Sequence, residues 1–260
     1  MDSVTHHGRT TAYRRADRGG DGAPVLLVHG SGGTHEVWKA QISRLSGDRP
    51  VVALDLSGHG ASDDVDAPAG PETLSAYAED VLAVADEEDV AVFVGNSLGG
   101  AVVMTAVLEH GADPDAVVLA GSGAKLAVRD DLLDMLANDY PAAVEVLHGD
   151  DLLFHDPDDR YVALSKESMR DVGGAVTHRD FASCDTYDVR DRLDEVTQPT
   201  FAFTGEHDGL TPPWYHEFVA ENVPDGAWTT VPDAAHLSML EQPNAFNDAL
   251  SSFLADRVDQ

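Results

Sequence analysis

The chain has 260 residues, 43% of them apolar, which is enough for one large domain with a substantial core. Its 47 acidic residues against 16 basic ones give a formal net charge of -31, which argues strongly against nucleic acid or an anionic membrane as a partner. No apolar run is long enough to span a membrane, and the N-terminus shows no signal segment. Because the single Cys184 excludes an internal disulfide, we expect a cytoplasmic protein.

Short apolar strands alternate with longer amphipathic helices, which predicts an α/β fold with a mostly parallel central sheet and helices on both faces. The predicted strands are an antiparallel edge at Thr11–Ala16, then Val25–Val28, Val51–Leu54, Val90–Val94, Ala116–Leu119, Thr200–Phe203 and Trp228–Val231. The predicted helices are Glu36–Leu45, Leu74–Glu87, Leu98–Glu109, Trp214–Val223 and Asn244–Arg257.

The alternation of strands and helices breaks in the segment 123–194, which is too long for one crossover helix. Helical patterns occur there at Leu126–Asn138, Tyr140–Leu147 and Tyr161–Arg170, without a convincing strand. We therefore predict a helical cap at 123–194, inserted into a core domain made of 1–122 and 195–260. The alternative is that these helices pack as ordinary crossover structure.

The pattern Gly-Asn-Ser-Leu-Gly at Gly95–Gly99 follows an apolar strand directly and opens an apolar helix. A G-x-S-x-G pattern between a strand and a helix predicts a sharp, strained turn that exposes a serine hydroxyl at the end of the strand. The helix N-terminus beneath this turn favours negative charge that develops nearby. We therefore predict that Ser97 is a nucleophile.

A serine hydroxyl needs a base within hydrogen-bond reach, and that base must itself be oriented. Among the 12 histidines, His236 lies between the last predicted strand and the final helix, at the C-terminal edge of the sheet. Asp208 follows the preceding predicted strand at the same edge, and gives the chain order Ser, Asp, His. Glu206 is the alternative acid, whereas Asp233 is too close in sequence to the histidine.

The glycine-rich segment His29–Gly33 follows the first parallel strand. Its backbone N–H groups, that of Ser31 above all, would join the N–H of Leu98 in an oxyanion hole. The cap would line the substrate pocket. Apolar side chains that we expect there are Trp38, Met135, Tyr140, Phe154, Phe181 and Leu237.

Neither a metal nor an organic cofactor is expected, because the chain has no paired-histidine helix motif and no cysteine cluster. His6 and His7 are interpreted as part of a solvated N-terminal tail. His155 is interpreted as part of a solvated acidic turn.

Together these residues resemble the α/β-hydrolase superfamily over nearly the whole chain. The segment Asp55–Ser62 resembles the family's loop after its fourth strand. Leu210–Pro213 and Glu241–Pro243 resemble its stretches after the acid and the histidine. The resemblance implies that His29 and His59 are structural loop residues.

Within the superfamily the chain is most similar to small capped esterases and to hydrolases of meta-cleavage products. The latter usually have Trp after the histidine, where Leu237 stands here, so carbon–carbon bond hydrolysis is less favoured. Epoxide hydrolases and haloalkane dehalogenases use Asp in place of Ser97. We expect a serine hydrolase for small-molecule carboxylic esters, with lactone or carbon–carbon cleavage as alternatives, and a ligand-binding protein of low turnover as another.

The scattered acidic residues predict adaptation of the whole surface to concentrated salt, as in the cytoplasm of a halophile. We expect the melting temperature to rise between dilute buffer and multi-molar KCl, because salt shortens the Debye length to about 3 Å at 1 M. Thermal unfolding monitored across a KCl series measures this. An equal melting temperature in dilute and multi-molar salt would contradict the interpretation.

Overall fold

The computed structural model describes residues 1–259, so the last residue of the predicted core segment 195–260 lies outside it. The strands are Asp2–His6 (β1), Arg9–Ala16 (β2), Val25–Val28 (β3), Val51–Leu54 (β4), Val92–Asn96 (β5), Ala116–Ala120 (β6), Thr200–Gly205 (β7) and Gly226–Val231 (β8). The α-helices are Lys39–Leu45 (α1), Pro71–Glu87 (α2), Leu98–His110 (α3), Asp130–Asn138 (α4), Tyr140–Leu147 (α5), Asp159–Val172 (α6), Gly174–Thr186 (α7), Pro213–Asn222 (α8), Ser238–Glu241 (α9) and Pro243–Arg257 (α10). Short 3₁₀ helices span His35–Trp38 and Arg190–Glu195.

The strands form one eight-stranded sheet in the order β1-β2-β4-β3-β5-β6-β7-β8. The pairs β1–β2 and β2–β4 are antiparallel, and every later pair is parallel. This confirms a mostly parallel sheet with an antiparallel edge. Since parallel strands end at one edge, the loops after β3, β5, β7 and β8 are brought together there.

Strand β1 was not predicted, because it is short, polar and exposed along most of its length. It pairs with β2 through a turn at His7 and Gly8, whose φ angles are 47° and 80°. Positive φ at both central residues is typical of a type I′ hairpin turn. The interpretation of His6 as part of a solvated tail is therefore wrong, since His6 ends a strand and its Nε2 lies 2.7 Å from Thr11 Oγ1.

The core has two layers, one on each face of the sheet. Along β3, Leu26 and Val28 pack against α2, α3 and α8, whereas Val25 and Leu27 pack against α1 and α10. Successive side chains of a strand point to opposite faces, so a strand that is buried on both sides must be apolar throughout. All four residues are fully buried.

Four helices, α4–α7, occupy the 123–194 segment, and none of the described residues in that segment forms a strand. They share an apolar cluster that is separate from the two layers of the sheet. Its buried members are Leu132, Leu136, Ala143, Val144, Leu147 and Met169. Within residues 1–259, no helix is both long enough and apolar enough to cross a membrane.

Helix α7 was not predicted, and α4 begins at Asp130 rather than at Leu126. The buried face of α7 carries Thr177, Asp180 and Ser183 beside Cys184, so it lacks the apolar periodicity by which helices are detected. What these polar side chains contact is a property of the site described next.

Candidate active site

Ser97 lies between β5 and α3 with φ 53° and ψ -121°, a backbone conformation that is strained for a residue with a Cβ. Neighbouring groups hold it there. Its N–H donates to the carbonyl of Ala120 at 3.0 Å. Its carbonyl accepts from the Gly100 N–H at 2.9 Å and from Ser122 Oγ at 2.8 Å. The backbone at Ser97 is therefore fixed on both sides.

Glycines let backbone segments meet at this turn. A Cβ on Gly95 would lie 2.3 Å from the carbonyl oxygen of Gly99, and one on Gly99 would lie 2.4 Å from that of Val28. A Cβ on Gly30 would lie 2.9 Å from the Cβ of Ser97. Side chains at these positions would push α3 and the loop after β3 away from the turn.

His236 and Asp208 meet at the same edge of the sheet. The Nδ1 of His236 donates to Asp208 Oδ2 at 2.9 Å, and both side chains are buried. Asp208 also accepts from the backbone N–H groups of Leu210 and Thr211, each at 2.8 Å, and from the hydroxyls of Thr204 and Thr211. The alternative acid, Glu206, pairs instead with the neighbouring His207.

Burial alone would raise the pKa of the Asp208 carboxyl, yet the pKa lies below its usual range. The charge of His236 and its hydrogen bond lower this pKa, and the Thr204 and Thr211 donors add to the effect. The carboxylate therefore stays ionised while buried. It can hold the His236 ring in one orientation and leave Nε2 available.

The two predicted oxyanion donors belong to residues near Ser97: Leu98 follows it in the chain, and Ser31 follows Gly30, on which a Cβ would lie 2.9 Å from the Cβ of Ser97. Ser31 is on the loop after β3 and lines the cavity described below. Leu98 is the first residue of α3, so its N–H has no acceptor within the helix, while its side chain is buried in the core. The side chain of Leu98 does not line the cavity, and only its backbone is relevant to the site.

A buried carboxylate from α7 holds the loop that carries Ser31. Asp180 is 0% exposed and accepts from three side chains. Ser31 Oγ donates to its Oδ2 at 2.9 Å, His59 Nε2 to the same oxygen at 3.0 Å, and Tyr77 to Oδ1 at 2.8 Å. The 123–194 segment thereby fixes the loops after β3 and β4.

The two histidines beside this carboxylate have opposite pKa shifts. Burial lowers the pKa of His29 to about 4, so its ring is neutral, and its Nε2 accepts from the Leu56 N–H at 3.1 Å. Burial also opposes protonation of His59, but the charge of Asp180 outweighs it and raises the pKa. Both rings bind neighbouring loops rather than the Asp208–His236 pair, which agrees with a structural role.

A cavity of about 1070 Å³ lies between α4–α7 and the edge of the sheet. Ser97 and His236 both line it, together with the loop 30–34. Of the side chains predicted for the pocket, Met135, Phe181 and Leu237 line this cavity.

The other three predicted pocket residues do not line the cavity, which corrects that expectation. Trp38 is fully buried in the core, with its ring 6.0 Å from that of Phe246. Phe154 is buried in the same layer of the core. The hydroxyl of Tyr140 bonds to the Met169 carbonyl and to Thr177 Oγ1 within the 123–194 segment. Each of these large side chains is used for packing, which sequence alone does not distinguish from lining a pocket.

Sequence reasoning also missed several cavity residues. Leu164 of α6 and Trp214 of α8 line the cavity although they are 59% and 62% exposed. The sequence signal that could have identified these two residues is a large apolar side chain on a helix face that is otherwise polar. The charged side chains on the wall besides His236 are all exposed. They are Glu36, Lys39, Arg129, Glu167 and Asp171.

The profile of the Alpha/beta hydrolase family matches residues 25–249, which span both the sheet and the 123–194 segment. The chain belongs to the alpha/beta hydrolase family. The predicted α/β-hydrolase fold is thereby confirmed.

Relatives of this alpha/beta hydrolase span almost its whole length. It is 29% identical to 3-oxoadipate enol-lactonase 1 of Acinetobacter baylyi, over 91% of this chain and 90% of the relative. It is 26% identical to the 2-hydroxy-6-oxo-6-(2'-aminophenyl)hexa-2,4-dienoic acid hydrolase of Metapseudomonas resinovorans, over 98% and 91%. A solved structure of a thermophilic esterase matches with a TM-score of 0.86 and 29% identity, over 99% and 98% of the two chains.

We predict that Asp180→Ala lowers the free energy of unfolding by about 3–5 kcal/mol, because it removes the shared acceptor of the His59 ring and of the Ser31 and Tyr77 hydroxyls from a buried position. Urea denaturation in concentrated KCl measures this. Asp185→Ala on the same helix is the matched control. Asp185 is exposed and accepts only from the Val128 N–H in this region, so its loss should cost about 1 kcal/mol. Equal losses for the two variants would refute the prediction.

Proposed function

We propose that this alpha/beta hydrolase is a serine hydrolase that cleaves a carboxylic ester through an acyl-enzyme. The observation that carries the proposal is the buried Asp208–His236 hydrogen bond beside a cavity that Ser97 also lines. The family and its hydrolase relatives support hydrolysis of an ester or lactone. A protein that only bound ligands would have no use for a buried carboxylate that orients a histidine.

In the proposed mechanism, Ser97 Oγ attacks the ester carbonyl carbon while His236 Nε2 takes the hydroxyl proton. The N–H groups of Ser31 and Leu98 stabilise the oxyanion of the tetrahedral intermediate. His236 then returns the proton to the leaving alcohol, and the acyl group stays on Ser97. Water, deprotonated by His236, attacks the acyl-enzyme, and His236 then gives this proton to Ser97 Oγ as the bond to the acyl carbon breaks and the acid leaves. Asp208 stabilises the imidazolium in both steps.

We also propose that residues 123–194 act as a cap over the substrate. Helices α4–α7 supply one wall of the cavity, and they have an apolar cluster of their own. The net charge of -31 and the single cysteine support a cytoplasmic location in a cell with high internal salt.

We predict that Ser97→Ala abolishes both the burst and the turnover of p-nitrophenyl butyrate, because no acyl-enzyme can form. Asp208→Asn should retain the fold but lower kcat by about 10⁴-fold, because an amide favours the wrong tautomer of His236. Stopped-flow and steady-state hydrolysis in multi-molar KCl measure both effects. Glu206→Gln is the control for the acid and should retain activity. A burst that persists in Ser97→Ala would rule out the assignment of the nucleophile.

The composition of the cavity wall favours neutral substrates. Among the described residues, the only lysine and arginine on the wall are Lys39 and Arg129, which are exposed and paired with Glu36 and Asp131. The inner wall therefore holds no lysine or arginine that could offset the desolvation of a carboxylate. Two of the relatives are named for an oxoadipate lactone and a dienoic acid. For this chain we propose, in contrast, a neutral substrate.

Lactones remain a second candidate, because the enol-lactonase matches over 91% of this chain and a lactone needs no change in the proposed mechanism. Carbon–carbon bond cleavage is less favoured, because Leu237 lines the cavity next to His236 at the position where hydrolases of meta-cleavage products usually have Trp. The rate of ring-opening of a neutral lactone, compared with the rate of hydrolysis of an open-chain ester of equal length, distinguishes the lactone candidate from the ester candidate.

We predict that mono-p-nitrophenyl adipate reacts at least about tenfold more slowly, in kcat/KM, than its methyl ester, because burying the carboxylate costs at least ~1.4 kcal/mol. Leu164→Arg, which adds a cation to an exposed position on the wall, should narrow this ratio, whereas Leu164→Gln should not. Equal rates for the acid and its methyl ester would contradict the prediction. If the protein hydrolyses neither compound, that result would count against the ester-hydrolase proposal itself.

A further inference from the structure

A cluster of metal-binding side chains lies outside the proposed catalytic groups. One ligand atom from each of Asp151, His155 and His207 lies within 4.8 Å of the other two. His155 Nδ1 is 2.5 Å from Asp151 Oδ1, and the rings of His155 and His207 stack with centroids 3.6 Å apart at 7°. The side chains are 54%, 30% and 37% exposed in sequence order, so an ion can reach them from solvent.

The backbones that carry the three side chains are fixed to one another. The Gly209 N–H donates to the Asp151 carbonyl at 2.8 Å, which joins the turn at 151–155 to the loop of Asp208. The His155 N–H donates to Glu241 Oε1 at 2.8 Å, and the His207 N–H donates to the Ala234 carbonyl at 3.0 Å. The three ligands are thus held close together before any ion arrives.

The chemistry of this set selects a class of ion. Two imidazoles and one carboxylate are ligands for borderline divalent ions such as Zn²⁺, Ni²⁺ and Co²⁺. Mg²⁺ and Ca²⁺ prefer sites built of oxygen ligands alone. Glu206, whose Oε1 is 3.2 Å from His207 Nε2, offers a fourth ligand, and water can supply the rest. Because the two rings are stacked and nearly parallel, both must rotate about their Cβ–Cγ bonds for a nitrogen lone pair of each to point at one ion.

We propose that Asp151, His155 and His207 form a binding site for a borderline divalent metal ion, which clamps the 123–194 segment to the loop that carries Asp208. The ion is structural, because the cluster is not among the residues that line the cavity with Ser97 and His236. Binding fixes the turn at 151–155, which contains the Leu152 and Leu153 carbonyls that hold the His236 loop. This inference does not depend on the proposed ester hydrolysis.

The backbone contacts show what such a clamp would stabilise. The His236 N–H donates to the Leu152 carbonyl at 3.3 Å, and the Leu237 N–H donates to the Leu153 carbonyl at 2.9 Å. The turn at 151–155 is therefore connected to the loops of Asp208 and His236. A metal ion at the exposed side of the turn would add a further connection between the turn and the loop that carries His207. Any ion that binds only the folded state stabilises that state.

Isothermal titration with Ni²⁺ tests the proposal on EDTA-treated full-length protein, in KCl concentrated enough to keep it folded. We expect about one Ni²⁺ per chain, with an affinity that falls at least about tenfold in each of Asp151→Asn, His155→Asn and His207→Asn. Asn at position 151 tolerates the φ of 57° found there, so that variant removes charge without backbone strain. Ni²⁺ should also raise Tm by a few degrees in the wild type and in none of the three ligand variants.

Two control variants separate this site from other histidines and from the acidic surface. His178→Asn on α7 and the double variant His6→Asn/His7→Asn should bind Ni²⁺ as the wild type does, although His6 and His7 lie side by side with their Nδ1 atoms 3.2 Å apart. Mg²⁺ at equal concentration should not compete. Unchanged affinity in all three ligand variants, or equal binding of Mg²⁺, would overturn the proposed site.

Hydrogen exchange measures the clamp separately from binding. Ni²⁺ should slow exchange of the amides at 151–156 in the wild type, and leave them unchanged in His207→Asn. Binding without this protection would overturn the clamp, because the ion would then leave the turn at 151–155 as free to open as it is without metal. Protection that persists in His207→Asn would also overturn it, because the ion would then bind the turn without the loop of His207. Each ligand variant should keep the metal-free Tm of the wild type, which shows that its loss of affinity is not a loss of fold.

Discussion

The site depends on the left-handed backbone at Ser97, which a residue with a Cβ adopts only when its surroundings impose it. Helix α3 and strands β5 and β3 impose it here, because Gly95 lets β5 and Gly99 lets the end of β3 meet the backbone of α3 at distances that exclude a side chain. The turn then projects one hydroxyl from the edge of the sheet and places the N-terminus of α3 beneath it.

A second constraint is the buried charge of Asp180. Its carboxylate is satisfied by donors from the loop after β3, the loop after β4 and α2, so it links the 123–194 segment to three parts of the core. Buried ions of this kind cost desolvation energy, and they persist where every oxygen has partners. Here one partner is Ser31, so the position of the loop that faces Ser97 is set from the opposite wall of the cavity.

The same segment also reaches the other side of the site. The carbonyls of residues 151–153 accept hydrogen bonds from the backbone N–H groups of Gly209, His236 and Leu237. The loops that carry Asp208 and His236 are therefore bonded to this segment. The 123–194 segment is thus more than a wall of the cavity, since it holds both the loop that carries Ser31 and the Asp208–His236 pair. The exposed cluster around His155 lies at this junction, where an ion would act on all of these loops together.

The sequence by itself determined the mostly parallel sheet apart from β1, and it predicted Ser97, Asp208 and His236 as the catalytic groups. Uniformly apolar strands such as Val25–Val28 can only be buried on both faces, and the pattern at Gly95–Gly99 has one structural context that explains it. The sequence did not reveal α7, because its buried face is polar, nor β1, which has no apolar run. Only the tertiary structure decided which aromatic side chains pack and which line the cavity. It alone brought Asp180 to Ser31 and His155 to His207, since contacts between residues far apart in the chain leave no local pattern.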